Sequence, residues 1–385
     1  MPTQDTPPRI SVIMPAYNAA NHLPAAIESI LQQTLPDFEL VIVDDCSTDD
    51  SWDVVRAYAK QDRRVIAQRN PRNRGQGFTA NRCIELSRTP LIARMDHDDV
   101  SLPTRLQRTV RVFDEHREVG LVGSAYCRWN GGKHLVVRRP PRDHVGLVWK
   151  HLFGCALCHS AVAFRRTLFK NDEVVYQDLP GTADYELWVR LLGRTRGATI
   201  PEPLVLYRMH AASMSGQFAD ELPAAVDDIA RTQLEELLDR AIDTDDLKRL
   251  RRLANGTPRA ADLPHAGVIL ELLDALAARG DLACDRLDRQ RMDWLRALAL
   301  RAIIRPQRGT RSATLNFVAR ARPTALARTF GLDLPRKVSR SLAARIVSPT
   351  RSPEIRRVQE AASSAQHVTP PIAFNHPHPR TGSSV

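Results

Sequence analysis

The chain has 385 residues, of which 43% are hydrophobic, and it carries a formal net charge of +11. This length predicts more than one domain, and the apolar content is sufficient for a true hydrophobic core. No apolar run reaches 18 residues, which excludes a membrane-spanning helix. The basic excess predicts an acidic partner, namely nucleic acid, anionic lipid or a phosphorylated substrate.

Residues 9–95 alternate between short strands and helices. Residues 9–16 are rich in β-branched side chains and predict the first strand, and a helix with apolar residues at helical spacing follows from Leu23. Further strands are predicted at 38–43, 65–67 and 91–95, with helices near 50–60 and 78–87 between them. This alternation predicts a doubly wound α/β sheet.

The next segment continues the α/β pattern, and the composition changes beyond residue 218. Ser101 is predicted to cap a helix over 103–116. Strands are predicted at 119–126, 159–165 and 199–207, with helices at 147–154 and 185–192. The last strand contains Pro201 and Pro203 and is expected at a sheet edge.

Five segments follow from this pattern. We expect a flexible N-terminus over 1–8, an α/β domain over 9–218 and a helical region over 219–304 with a break at 255–258. An arginine-rich, helical segment then spans 305–360, and the Ser/Pro/His-rich tail over 361–385 is predicted to be disordered.

Polar residues follow four of the predicted strands, at 15–18, 44–45, 73–75 and 96–98. Because the carboxyl ends of parallel strands meet at one crevice, we expect these residues to lie together. Tyr17 and Asp45 suit a nucleobase, since a ring can cover one face while a carboxylate accepts an N–H. Asp96 and Asp98 form a D-x-D pair suited to ribose hydroxyls and to a divalent cation on a diphosphate. Neither a P-loop nor a dinucleotide-binding glycine motif occurs.

Several stretches carry a family resemblance. In order along the chain they read ISVIMPAYN, FELVIVDDCSTDDS, NRGQG, DHDD and ADYELWVRL. Together they resemble the inverting family 2 glycosyltransferases with a glycosyltransferase A-type fold. The resemblance covers about residues 9–215. It implies a nucleotide-binding sheet and a nucleotide-diphospho-sugar donor, for which we expect UDP as the nucleotide.

The resemblance also assigns roles to individual residues. Asp184 matches the general base, and Asp98 matches the direct ligand of a Mg²⁺ or Mn²⁺ ion. Arg208 and His210 belong to a late motif that contacts the diphosphate or the metal. The remaining positions match the nucleotide-sugar-binding set, namely Pro15, Ala16, Tyr17, Asp45 and Asp96.

The sequence departs from the family pattern at two places. The base is often preceded by Glu, whereas Ala183 stands here, so only Asp184 carries over. The helix after NRGQG often has an Arg before its Asn, whereas Ala80 precedes Asn81. Phosphate contacts from that helix are therefore not predicted.

Alternative interpretations remain open for several residues. Asp98 and Asp99 are candidates for capping the next helix, Glu186 is a rival base, and Tyr17 is a candidate core residue. His159 is interpreted as a buried histidine or as an acceptor ligand. For the whole chain, the alternatives are a catalytically degenerate nucleotide-sugar-binding or membrane-scaffold protein, and a nucleic-acid-binding protein.

The six cysteines and the basic C-terminal segment bear on location and partners. The C-x-x-C of Cys155 and Cys158 has no second pair, which disfavours a zinc site, and reduced thiols predict a cytoplasmic protein. The first ten residues predict no secretory signal. We expect a glycan or lipid-linked acceptor, contact of the basic segment with anionic membrane on the inner face of the plasma membrane, and no nucleic acid.

Overall fold

The computed structural model describes residues 7–130, 135–170, 173–210, 220–255, 257, 259–279, 291–293, 295–296 and 360–362. In its first part, strands and helices alternate as the sequence predicts. Their bounds are β1 Ile10–Ala16, α1 Leu23–Leu31, β2 Phe38–Asp44, α2 Ser51–Gln61, β3 Val65–Arg69, α3 Gln76–Leu86 and β4 Leu91–Arg94. These strands are parallel and lie in the order β3-β2-β1-β4. β1 and β2 are buried along their whole length, which explains their continuous apolar sequences.

The second part extends the same sheet with strands of both directions. Its elements are β5 Val100–Ser101, α4 Arg105–Glu115, β6 Val119–Trp129, β7 Leu135–Arg138, α5 His144–His151, β8 Ala163–Arg165, α6 Ala183–Leu192 and β9 Arg196–Arg208. β8 is antiparallel to both β4 and β6, β9 runs parallel to β6, and β5 is antiparallel to β9. The full order is β3-β2-β1-β4-β8-β6-β9-β5, with β7 also paired to β6. The predicted α/β sheet is confirmed, with a mixed half added to the parallel half.

The capping role predicted for Ser101 is wrong. Ser101 lies in β5, paired with Val205 of β9, and Thr104 stands at the N-cap of α4 without a side-chain hydrogen bond. The Ser101 hydroxyl instead accepts a hydrogen bond from Nε2 of Gln33 at 3.1 Å. Strand pairing across the sheet has therefore overridden a local helix-start signal.

Two other strand predictions also need correction. The strand expected at the sheet edge is β9, which lies between β6 and β5. Pro201 and Pro203 fit this interior position because the pairing with β6 shifts register between Ser124 and Tyr126. The strand expected over 159–165 is only β8, because His159–Ala161 form a 3₁₀ turn.

The helical region packs directly on the α/β part. It consists of α7 Leu222–Leu238, α8 Thr244–Ala254 and α9 Ala266–Ala278. Asp243 caps α8 by accepting a hydrogen bond from the Asp246 N–H at 2.7 Å. One apolar core cluster joins this region to α5 and α6, through Leu147, Leu187, Leu234 and Leu273.

Several predicted segments fall outside the described residues, namely 1–6, most of the basic segment over 305–360, and 363–385. Residues 360–362 are helical, and Ala362 packs with Trp129 and Leu206 in an apolar cluster. The predicted disordered tail therefore does not include Ala361 and Ala362. Among the residues that the structure describes, none of the helices is long and apolar enough to cross a membrane.

Candidate active site

The loops after β1 and β2 are tied together at the carboxyl edge of the sheet. The side-chain oxygen of Asn18 accepts hydrogen bonds from the Thr48 N–H at 2.9 Å and the Thr48 hydroxyl at 3.2 Å. Tyr17 is 42% exposed, so its interpretation as a core residue is wrong. Pro15 and Ala16 are the buried last residues of β1 and place this exposed ring at the edge of the crevice.

The carboxylate of Asp45 organises the loop after β3. It accepts hydrogen bonds from Nδ2 of Asn70 at 2.7 Å, the Gly75 N–H at 2.8 Å and the Arg74 N–H at 3.0 Å. Gly75 has a φ of 85°, which favours glycine. The buried Asp45 side chain thus holds one wall of the crevice, and its contact with a nucleobase stays a prediction.

Asp96 is surrounded by hydrogen-bond donors. The Arg94 guanidinium donates to Oδ1 at 2.5 Å, and the Ser160 hydroxyl lies 3.0 Å from Oδ2. Burial acts to raise the pKa of Asp96, but the positive charge of Arg94 outweighs it and holds the pKa well below its usual range. Asp96 is therefore ionised and held in one orientation at the end of β4.

Asp99 is fully buried and joins three parts of the fold. Its carboxylate accepts a hydrogen bond from the Arg208 N–H at 2.8 Å and lies 2.5 Å from the Ser160 hydroxyl. Burial, and then the charges of Asp98 and Asp96, raise the pKa of Asp99 well above its ordinary value. The interpretation of Asp98 and Asp99 as caps of the next helix is wrong, because Thr104 stands at the N-cap of α4. Asp99 instead links the loop after β4 to β9 and to the turn at Ser160.

Asp98, Arg208 and His210 meet at this end of the sheet. Nε2 of His210 lies 2.9 Å from Oδ2 of Asp98, and the Arg208 Nε–H donates to the Asp98 carbonyl oxygen at 2.8 Å. The Arg208 guanidinium stacks over Trp129, 4.5 Å from the ring centroid. The His22 ring, just before α1, lies 5.1 Å from that of His210. The structure thus brings together the three residues that the sequence assigns to metal and diphosphate.

Asp98 and His210 are suited to a divalent cation if a bound ligand supplies further coordinating atoms. Within the described part of the chain, there is no group of three or more His, Cys, Asp or Glu side chains arranged to hold a metal ion. Asp98 and His210 offer one carboxylate and one imidazole. Mg²⁺ sites that act on phosphates commonly use one or two carboxylates, substrate phosphate oxygens and water. The residues present therefore fit a cation shared with a diphosphate.

Asp184 lies half-buried in the first turn of α6, and Oδ1 accepts a hydrogen bond from the Tyr185 N–H at 2.8 Å. Burial raises its pKa above the ordinary aspartate value, and the charge of Asp96 adds to this rise. His159 connects the two regions, because its Nδ1 lies 3.5 Å from Asp96 and its ring lies 6.0 Å from that of Trp188 in α6. The helix that carries Asp184 is therefore linked to the acidic loop through His159.

The rival base, Glu186, is engaged elsewhere. Arg190 donates to both of its carboxylate oxygens, from Nε at 2.8 Å and from a terminal nitrogen at 3.0 Å. Such a two-point pair occupies both oxygens of the carboxylate. This geometry favours Asp184 over Glu186 as the acceptor of a substrate proton.

Sequence reasoning missed the buried cations beneath the acidic loop. Arg94 is fully buried, and Arg105, also buried, donates to the Arg94 carbonyl oxygen at 2.6 Å. Burial lowers the pKa of Arg105 to about 10. One sequence signal could have revealed Arg94, because it directly follows the apolar strand residues 91–93 and is therefore expected to be buried with them. A buried charge requires a partner, which here is the neighbouring Asp96.

The chain is similar in sequence to known enzymes. Residues 11–171 match the family described as Glycosyl transferase family 2. The chain is 29% identical over 216 residues to "UDP-Glc:alpha-D-GlcNAc-diphosphoundecaprenol beta-1,3-glucosyltransferase WfaP" of Escherichia coli, over 55% of this chain and 82% of that protein. It is 31% identical over 212 residues to "Putative glycosyltransferase EpsE" of Bacillus subtilis (strain 168), over 52% of this chain and 73% of that protein.

A solved structure shares the fold. It is that of S. aureus TarS 1-349 in complex with UDP-GlcNAc, with a TM-score of 0.50 and 16% sequence identity. The match covers 77% of this chain and 81% of that chain. The chain spans 52% of the longer chain in another TarS structure.

Proposed function

The chain belongs to glycosyl transferase family 2, and from this membership we propose that it moves a sugar, with inversion, from a nucleotide-diphospho-sugar to a hydroxyl acceptor. The main support is a single relationship. His159 contacts both Asp96 and Trp188 of the helix that carries Asp184, while Asp98 is 2.9 Å from His210, so the candidate base and the diphosphate-binding group lie beside one acidic loop. A displacement reaction requires a base for the attacking hydroxyl and a group that stabilises the leaving diphosphate, and this arrangement offers both.

In the proposed reaction, Asp184 accepts the proton of the acceptor hydroxyl while that oxygen attacks the anomeric carbon. The bond from the anomeric carbon to the diphosphate oxygen breaks on the opposite side, which inverts the configuration. The nucleoside diphosphate leaves with the bonding electron pair, and the positive charge of Arg208 stabilises it. A Mg²⁺ or Mn²⁺ ion held by Asp98 and His210 would supply further charge neutralisation for that leaving group.

We propose UDP as the nucleotide, with the uracil beside Tyr17 and Asp45 above the floor made by Pro15 and Ala16. The exposure of the Tyr17 ring supports this placement. The donor in the name of the E. coli relative is UDP-Glc, and the TarS structure holds UDP-GlcNAc. Asp96, held ionised by Arg94, would bind hydroxyls of the ribose or the donor sugar.

We also propose a glycan or lipid-linked acceptor in surface or secreted glycan synthesis. The name of the E. coli relative gives a diphosphoundecaprenol-linked sugar as its acceptor. A lipid-linked acceptor would bring the protein to the inner face of the plasma membrane, where each basic residue near anionic lipid contributes on the order of 1 kcal/mol. The net charge of +11 supports this attraction. Co-sedimentation with anionic but not with neutral vesicles tests it.

The decisive experiment is a thermal-shift screen of nucleoside diphosphates, each with and without Mg²⁺ or Mn²⁺, followed by transfer assays with the matching sugar nucleotides. We expect the largest shift with UDP and a further increase with the cation. Nuclear magnetic resonance of the product should show the opposite anomeric configuration from the donor. Donor binding without hydrolysis or transfer would favour the catalytically degenerate alternative.

A further inference from the structure

One face of the sheet built by β6, β7 and β9 presents aromatic and basic side chains. Tyr126 is paired with Arg138 on one side and Val205 on the other, and Arg128 is paired with Val136 and Tyr207. Directly paired residues, and residues two apart along a strand, point to the same face. We call this surface the Tyr126 face, and its members are Tyr126, Arg128, Val136, Arg138, Val205 and Tyr207.

One end of the Tyr126 face meets the acidic loop of the candidate active site. A tight turn packs on it through Cys158 and Ala161, which cover Val205. The same turn carries Ser160, whose hydroxyl lies 3.0 Å from Oδ2 of Asp96. The face therefore begins where the proposed donor site ends.

The candidate base lies close to the same end. Cys155 is an exposed residue whose thiol donates to the Leu157 carbonyl oxygen at 3.3 Å. The same segment continues into His159, whose ring lies 6.0 Å from that of Trp188 in α6, the helix that carries Asp184. The Tyr126 ring packs against the apolar cluster formed by Cys158, Ala161 and Val205. One short segment thus separates the base from the face.

The remainder of the face is accessible and positively charged. Val136 is 50% exposed and Arg138 is exposed. The Arg128 Nε–H donates to the Met209 sulfur at 3.1 Å, which is a weak acceptor. Among the residues that the structure describes, no ion pair joins a carboxylate to Arg128 or Arg138. Two such guanidinium groups beside an aromatic ring are suited to a phosphate group.

We propose that the Tyr126 face binds the acceptor, and that this acceptor is a sugar carrying a phosphate or diphosphate group. Its sugar ring lies against Tyr126 with a hydroxyl directed at Asp184, and its anionic group is bound by Arg128 and Arg138. The inference rests on the proposed function, because it uses the same base. It adds the chemical class of the acceptor and the surface that recognises it.

A binding experiment tests the face independently of catalysis. The full chain is first saturated with UDP and Mg²⁺, so that the donor site is occupied, and is then titrated calorimetrically with decyl diphosphate. Salt of about 150 mM screens nonspecific attraction. We expect Arg138→Ala and Arg128→Ala each to weaken binding by roughly 5- to 20-fold, as for a lost charge-assisted hydrogen bond. Arg111→Ala, which removes an exposed arginine paired with Glu115 in α4, should bind as the wild type does.

A transfer experiment then tests the sugar. An alkyl diphosphate of N-acetylglucosamine is compared with the neutral alkyl glycoside of the same sugar. Arg138→Ala should raise KM only for the diphosphate, by about 10-fold, and Arg138→Lys should recover part of the loss. Tyr126→Leu should raise KM for both acceptors, whereas Tyr126→Phe, which keeps the ring, should not. Hydrolysis of the donor without acceptor serves as the reference.

The outcomes separate the two proposals. Equal binding of decyl diphosphate by the wild type, Arg128→Ala and Arg138→Ala overturns the inference, even if transfer to other acceptors is observed. A wild-type protein that neither hydrolyses nor transfers any sugar nucleotide overturns the proposed function. In that case the titration still decides whether the Tyr126 face is an anion site.

Discussion

Arg94 donates its Nε–H to Nε2 of His159 at 3.0 Å. The other ring nitrogen, Nδ1, faces Asp96 at 3.5 Å. The Tyr176 hydroxyl lies 3.1 Å from Nε2 as well. His159 thus joins a fully buried cation to the wall that carries Asp184. From these contacts we expect His159 to act as a positioning residue, and its contact with an acceptor stays a prediction.

We expect His159→Leu to lower both stability and activity. The substitution leaves the Arg94 Nε–H without an acceptor in a buried position, at a cost of about 1–3 kcal/mol. Urea unfolding should show the stability loss, and steady-state kinetics should show a lower kcat because Asp96 loses its fixed surroundings. His159→Gln can place an amide oxygen near Nε2 and should recover most of the stability. A His159→Leu protein with wild-type stability would contradict the arrangement.

Asp184→Asn should abolish sugar transfer and leave donor binding intact. An amide cannot accept the acceptor proton, and loss of a general base typically costs on the order of 10²–10⁴-fold in rate. The measurement is kcat for transfer, with donor affinity from the thermal shift with the sugar nucleotide. Glu186→Gln is the matched control. Because Glu186 is paired with Arg190, we expect its loss to change transfer far less, and equal losses in the two variants would refute the assignment of the base.

The pKa of Asp184 also predicts a pH dependence. Because burial raises this pKa, the base becomes protonated, and transfer falls, at a higher pH than an ordinary aspartate would give. The raised pKa of Asp184 also makes the free energy of unfolding depend on pH. A carboxyl group whose folded-state pKa exceeds its unfolded value favours folding most below the unfolded pKa, and this contribution is lost as the pH rises through the folded pKa. Asp184→Asn should therefore be at least as stable as the wild type at pH 7.

Local sequence signals were sufficient for the parallel half of the sheet. β1 and β2 are buried on both faces and leave continuous apolar runs, and the polar residues after them mark the crevice. The same kind of signal failed at Ser101, because its pairing with Val205 depends on a strand about a hundred residues away. Local patterns cannot report such long-range pairings.

In the candidate site, too, local sequence patterns identify some residues, whereas contacts between distant residues could not be predicted from them. Spacing alone identifies Asp96 and Asp98, but the contact of Asp98 with His210 follows from the fold of β9 and was expected only through the family resemblance. Arg94 and Ser160 were not predicted. Each acts through a partner that is distant in sequence or buried, and their local patterns resemble those of ordinary strand and turn residues.

Asp98→Asn should abolish the increase in donor affinity that the metal provides, while donor binding without metal should change little. An amide oxygen is a weaker ligand for a hard cation than a carboxylate. In thermal-shift titrations with UDP, we expect the wild type to gain stability on addition of Mn²⁺, and the variant to lose that increment while still responding to UDP alone. Arg208→Ala should instead weaken UDP binding with and without the cation. An undiminished Mn²⁺ increment in Asp98→Asn would exclude this residue as a ligand.

Gly75→Ala should destabilise the loop that Asp45 holds, although space is not the reason. A β-carbon at Gly75 would meet nothing within 4 Å, but the φ of 85° costs an L-residue roughly 1–2 kcal/mol. Gly193→Ala at the end of α6 is the control, because its φ of −79° suits alanine and its nearest contact, at 3.5 Å, is ordinary. Urea unfolding should therefore show a loss for the first variant and no loss for the second. UDP binding should weaken only in Gly75→Ala, since a displaced loop moves the Asp45 wall of the crevice. If both variants unfold alike, the backbone of this loop is not a constraint on the site.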